Sequence, residues 1–189
     1  MALEGYKTKK SVVVVYTGEG KGKTTAALGL MCRTLGNRQK VAFFQFIKYW
    51  GVSEHIFIRD ISNLYKDQLL FYKGGKGFYR AGDLSEKHVT EEQHKEAAQE
   101  TYSQALKASQ SGDFDLVICD EINNAFHDGL LTIKQLKSLI TDRNKTTSIC
   151  LTGRNFPDTL NNYADIITSM TKVKHHFDNK YLANKGIDF

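Results

Sequence analysis

The amino-acid sequence predicts an α/β domain, a mostly parallel sheet with helices on both faces. Three observations carry that expectation: β-branched runs too apolar for a half-exposed strand, helical segments alternating with them, and a Gly-Lys-rich loop at the first strand-to-helix turn. With 189 residues, 41% hydrophobic, the chain can fill one core but not two large ones, so one domain over 1–189 is expected. Fifteen Gly against one Pro, with 11% aromatic residues, excludes collagen-like, low-complexity and disordered classes.

The elements follow in order. Residues 11–16, centred on Val12, Val13, Val14 and Val15, form a strand buried on both faces. A helix over 24–35 carries Ala26, Ala27, Leu30, Met31 and Leu35 and stops at Gly36-Asn37. Residues 41–47 make a second apolar strand. The stretch 48–86, broken by Gly51, Gly74, Gly75, Gly77 and Gly82, is expected to be functional loops around one short strand at 69–72. Thr90 with Gln93 is a capping-box pattern for a long polar helix running to about Gln110 and ended by Ser111-Gly112. A short buried strand at 116–119 follows. Thr132 then caps a helix with Ile133, Leu136, Leu139 and Ile140 on one face. A strand at 148–151, a short helix opened by Pro157 and reaching about Tyr163, and a strand at 166–170 complete the pattern.

Charge and cysteine content set the chemistry's limits. The net charge of +5 (26 basic minus 21 acidic residues) suits anionic partners, but the lysines are too dispersed to argue for nucleic acid. Cys32, Cys119 and Cys150 lie far apart in apolar segments, which predicts buried free thiols and no zinc or disulfide framework. No apolar run approaches the ~20 residues of a membrane span, and the first residues lack a secretory signal, so a cytoplasmic location is expected.

Two motifs carry function. In Thr17-Gly18-Glu19-Gly20-Lys21-Gly22-Lys23-Thr24-Thr25 the glycines free backbone amides to surround phosphate oxygens. Lys23 adds a cation, expected to be solvated in the free protein, and the Thr24 hydroxyl can ligate Mg²⁺. The standard phosphate-loop pattern would place glycine where Thr17 stands. In Leu116-Val117-Ile118-Cys119-Asp120-Glu121 an apolar strand ends in two acids. Such a strand is expected beside the first, with Asp120 and Glu121 reaching the Mg²⁺ directly or through water. Together the motifs specify Mg-nucleotide binding in a P-loop NTPase-like, RecA-type fold, and leave the transferred group open.

The chain resembles the phosphate-loop ATP:corrinoid adenosyltransferases nearly end to end. The resemblance rests on the loop with Thr at 17, on Gln45-Phe46-Ile47-Lys48, on Gly77-Phe78, and on Asp120-Glu121-Ile122-Asn123 with Ala125 and Gly129-Leu130-Leu131. It continues through Thr152-Gly153-Arg154-Asn155, Ala164-Asp165, Val173-Lys174-His175-His176-Phe177-Asp178 and the closing Gly186-Ile187-Asp188-Phe189. It implies transfer of the 5′-deoxyadenosyl group of ATP to the cobalt of a reduced corrinoid with triphosphate as leaving group. By resemblance, Gly18, Glu19, Gly20, Lys21, Gly22, Lys23, Thr24 and Thr25 bind the nucleotide, and Lys23, Thr24 and Glu121 serve catalysis. Thr24 and Glu121 hold Mg²⁺ with Asp120 behind them. A loop at Phe78, Tyr79 and Arg80 meets the corrinoid, where the family's aromatic residues displace the lower ligand of cob(II); Arg80 stands in the family's Trp position, and Tyr79 or Trp50 could fill it. A homodimer and a flavoprotein reductant are also implied, with neither nucleic acid nor membrane as partner. The motifs alone would also serve a phosphate-loop kinase or ATPase, or a non-catalytic nucleotide-binding module. The His175-His176 pair is read as a packing or hydrogen-bonding feature, and His127 is left without a role.

Overall fold

The computed structural model describes residues 5–48, 51–77 and 89–188. Within them, strands β1 (Val13–Thr17), β2 (Val41–Gln45), β3 (Leu69–Lys73), β4 (Leu116–Asp120), β5 (Ser148–Thr152) and β6 (Ile166–Ser169) form one sheet. Its order is β3-β2-β4-β5-β1-β6, and every pairing is parallel. The crossovers carry α1 (Lys23–Gly36), α2 (Ser53–Ser62), α3 (Glu91–Ser111), α4 (Ile122–His127) and α5 (Ile133–Thr141), with 3-10 turns at Asp158–Tyr163 and His176–Asn179.

The alternation of side chains along a strand splits the core in two. Val13 and Val15 pack with Ala98, Ala105, Leu136 and Leu139 of α3 and α5. Val14 points the other way, into a cluster with Ala27, Met31 and Leu35 of α1 and Ile58 of α2. Burial on both sides is why this run has no polar alternation. Both capping boxes form: the Thr90 and Thr132 hydroxyls accept from the Gln93 and Gln135 amides, and the glutamine side chains accept in return. Gly112 ends α3 at φ 78°, a left-handed conformation that favours glycine.

Three expectations are corrected. The acidic strand β4 is not beside β1: β5 lies between them, pairing with both. Burial explains the order, because Ile149, Cys150 and Leu151 are fully buried as a central strand requires, whereas all four β6 residues are exposed and take the edge. This is the RecA-type arrangement. The stretch 48–86 is not loops around one strand, since it also contains α2. That helix has Val52 as its N-cap, without a side-chain cap, and fully buries only Ile58, so it lacks both usual signals of a helix. Finally, Cys32 is exposed, lying off the buried Ala27, Met31 and Leu35 stripe of α1, while Cys119 and Cys150 are buried and free.

Candidate active site

A parallel sheet gathers the carboxyl ends of its strands at one edge, and the two motifs meet there. The loop after β1 runs into α1 through Gly22, which sits at φ 110° as the helix N-cap. Gly18 and Gly20 are required by a close approach. The Gly20 amide donates to the Met170 carbonyl at 2.6 Å, and a Cβ on Gly18 or Gly20 would lie 2.5 or 2.7 Å from that oxygen. Thr17 has its own task, because its hydroxyl accepts from the Phe156 amide at 3.3 Å and ties the loop to the segment after β5. Lys23 is not freely solvated as expected. Its ammonium donates to the Gly18 and Gly20 carbonyls, each at 2.7 Å, closing the loop on itself, and burial lowers its pKa.

Behind the loop, Asp120 is fully buried and its carboxylate is saturated with donors. Oδ1 accepts from the Thr152 hydroxyl at 2.6 Å, and Oδ2 accepts from Gln45 Nε2 at 2.9 Å and the Thr24 hydroxyl at 3.2 Å. Gln45 reaches Asp120 because the two are register partners in β2 and β4. Gln45 Oε1 in turn meets His55 Nε2 on α2. Glu121 follows at φ 62°, a left-handed backbone uncommon outside glycine, with its amide donating to the Thr152 hydroxyl at 2.9 Å. Its Oε2 is buried without a hydrogen-bond partner among the described residues. Burial and the neighbouring Asp120 charge push its carboxyl pKa up, against the pull of Lys48, Lys23 and Arg154.

Lys48 completes the charge cluster from the end of β2. Its ammonium donates to Glu54 Oε1 at 2.9 Å and to the Thr24 hydroxyl at 3.1 Å, and lies 3.8 Å from Asp120 Oδ2. Burial alone would lower its pKa, but Asp120, Glu121 and Glu54 outweigh that and raise it. Glu54 feels burial first as well, and is nevertheless held low by Lys48.

These groups enclose a cavity of about 900 Å³. Residues 19–25, Lys48, Glu54, Phe57, Glu121 and Arg154 line one side; the segment after β6, with Lys172, His175, Phe177 and Asp188, lines the other. Arg154 pairs with Glu19 at 3.2 Å, and Lys21 pairs with Asp188 at 2.6 Å. The Asn184 amide and Lys21 hold the Asp188 carboxyl down to about 2. His175 Nδ1 accepts from the Phe177 amide at 3.1 Å. Among the described residues no group of three or more His, Cys, Asp or Glu is placed to hold a metal ion by itself. Also among them, no helix is long and apolar enough to cross a membrane.

The structure therefore puts Glu19, Gly20, Lys21, Gly22, Lys23, Thr24, Thr25 and Glu121 on one cavity wall, with Gly18 and Asp120 behind it. Phe78, Tyr79, Arg80 and Trp50 lie outside the described residues. The motif reading gave no site role to Gln45, Lys48, Glu54, Thr152 or Arg154. Gln45 and Thr152 close β2 and β5, with Lys48 and Arg154 within three residues after them, and a polar residue closing an apolar strand beside an acidic one is the signal that could have found the first two. Such an arrangement can bind a polyphosphate anion, with cations spread over both walls and hard oxygen donors at Thr24 and Glu121.

Comparison with known proteins agrees in kind. The corrinoid adenosyltransferase of Pseudomonas aeruginosa is 30% identical over 184 residues, covering 97% of this chain and 86% of that protein. The corrinoid adenosyltransferase of Escherichia coli K12 is 28% identical over 182 residues, covering 96% and 87%. In three dimensions the chain resembles the flagellar accessory protein FlaH of Methanocaldococcus jannaschii, with a TM-score of 0.52 at 14% identity over 88% of this chain and 73% of the other, a likeness of fold alone. The family model of the ATP:corrinoid adenosyltransferases BtuR/CobO/CobP matches residues 9–189, and the chain belongs to that family of corrinoid adenosyltransferases of cobalamin biosynthesis and salvage.

Proposed function

We propose that the cavity between the phosphate loop and the segment after β6 holds the triphosphate of ATP, and that this triphosphate leaves when C5′ is transferred to cobalt. The observation that carries the reading is the convergence of Lys21, Lys23, Lys48, Arg154 and Lys172 on one cavity. A cob(I) corrinoid is a strong nucleophile and brings the bonding electron pair itself. The protein needs no activated serine, cysteine or histidine, and its tasks are to position C5′ and to stabilise charge on the departing oxygen. The amides of residues 18–24 and the Lys21 and Lys23 ammonium groups bind the triphosphate in this account. For the phosphate to bind, the Lys23 ammonium must exchange the Gly18 and Gly20 carbonyls, and the Gly20 amide the Met170 carbonyl, for phosphate oxygens.

The residues fit a Mg²⁺ ion carried in with the nucleotide. Thr24 and Glu121 offer hard oxygens, Glu121 Oε2 is buried without a hydrogen-bond partner among the described residues, and Asp120 accepts from and orients the Thr24 hydroxyl. A magnesium ion keeps most of its ligands from water and phosphate, so two protein oxygens suffice. Bound there, it would neutralise charge on the leaving triphosphate. Phe78, Tyr79 and Arg80 are proposed to meet the corrinoid, and a homodimer, a flavoprotein reductant, a cytoplasmic location and a single domain over 1–189 belong to the same reading. Incubation with Mg-ATP and chemically reduced corrinoid should generate the absorption of a cobalt-carbon bond. Wild-type protein that forms none under strictly reducing conditions would defeat the proposal.

A further inference from the structure

We infer that Lys48, presented by Glu54, is a catalytic contact to the leaving triphosphate, acting beside the phosphate-loop lysines on the same side of the cavity. The inference rests on the proposed triphosphate site. Lys48 donates directly to the side chain of a phosphate-loop residue, at 3.1 Å from the Thr24 hydroxyl. An ammonium that close to Thr24 is within reach of any phosphate oxygen that Thr24 itself approaches. Its other partners explain why it is there. Glu54, in the first turn of α2, anchors it at 2.9 Å, and Asp120 attracts it from 3.8 Å.

The alternative is a purely structural salt bridge, and geometry argues against it. Lys48 spans two oxygens on different elements and lines the cavity, whereas a lysine serving only to neutralise Asp120 would need neither Thr24 nor an opening to the ligand space. Asp120 already has three donors without it. Lys48 donates three hydrogens, and its bonds to Glu54 and Thr24 use two of them. In the transfer, the C5′–O bond breaks as the Co–C bond forms; the cobalt(I) pair makes the new bond, and the old pair leaves on the triphosphate oxygen. No proton has to move. Negative charge therefore grows on triphosphate at the transition state, and a cation beside it lowers the barrier more than it strengthens ATP binding.

The test pairs transfer kinetics with direct binding of inorganic triphosphate. Lys48→Ala should lower kcat from pre-reduced corrinoid by about 10²-fold, with a smaller change in the KM for ATP. It should also weaken binding of Mg-triphosphate by about tenfold or more, the scale of a lost charge-assisted hydrogen bond. Lys48→Arg should recover part of both. Glu54→Gln should give a smaller loss of kcat, and should add little in the Lys48→Ala background, as expected of a positioning residue. Because Lys48→Ala leaves three carboxylates facing one another, the double variant Lys48→Met with Glu54→Gln removes cation and anchor together, and its folding is checked by thermal unfolding. A folded double variant with wild-type triphosphate affinity and kcat would overturn the inference. If wild-type protein bound triphosphate through Lys48 but transferred no adenosyl group, the Lys48 contact to triphosphate would stand, while its catalytic part and the proposed function would fall.

Discussion

The phosphate loop and the corner where β2 leads into α2 face the same cavity, but they are built of different materials. The loop is made of backbone: Gly18 and Gly22 at positive φ, and a lysine folded onto two of the loop's own carbonyls. The corner is made of side chains, with Asp120 at its centre and Gln45, Thr24, Thr152 and Lys48 around it. A backbone site is fixed by local conformation and tolerates loss of a side chain that faces the ligand. A buried side-chain cluster is fixed by strand register, and removing one member leaves the others desolvated and unsatisfied. The two regions should therefore fail differently, the loop in turnover and the buried Asp120 hydrogen bonds of the corner in stability, with Lys48 at the cavity edge of the corner failing in turnover as the loop does.

The largest effect is expected in the loop. Lys23→Ala should lower adenosyl transfer by about 10²–10³-fold, the scale of one lost transition-state donor, while the folded protein persists. Turnover and thermal unfolding of the same sample check both halves, and a folded variant with near-normal turnover would break the assignment. Next comes the corner. In Asp120→Asn an amide NH₂ must face groups that donate to Asp120, so stability should fall by about 1–3 kcal/mol. A wild-type urea midpoint would mean that the cluster is not the structural element described here.

Smaller changes sharpen the contrast. Glu121→Gln should raise the Mg²⁺ concentration for half-maximal turnover about tenfold, as weakened metal sites do, with little effect on metal-free nucleotide binding. If the magnesium titration does not move, Asp120 becomes the candidate ligand. Thr17→Gly, which restores the standard loop glycine, should cost only about 1 kcal/mol from the lost Phe156 bond and leave turnover close to wild type. A large loss of turnover would show that Thr17 does more than tie the loop to β5.

The same difference decides what could be read from sequence. The loop was legible because backbone binding needs glycine at fixed spacing, and that spacing lies within nine consecutive residues. Both capping boxes were legible for the same reason. The corner was not, because Gln45 meets Asp120 only through the pairing of β2 with β4, and Lys48 meets Glu54 only once α2 turns back from the sheet. The misplaced β4 has a related cause. Each central strand is a short apolar run with the same appearance, so nothing local in 116–120 or 148–152 says which of them neighbours β1. Burial gives a partial clue, as the exposed β6 residues mark an edge.

One measurement bears most directly on the claim that this cavity stabilises triphosphate as a leaving group. ATP labelled separately at C5′ and at the γ-phosphate is incubated with the protein, Mg²⁺ and pre-reduced corrinoid, and both labels are followed. The account predicts the carbon label on the corrinoid and the phosphorus label in intact triphosphate, in equal amounts, with neither product formed when corrinoid is omitted. Phosphorus label in orthophosphate or on an acceptor, with the carbon label left in ADP, would contradict it and identify a phosphoryl-transfer enzyme instead.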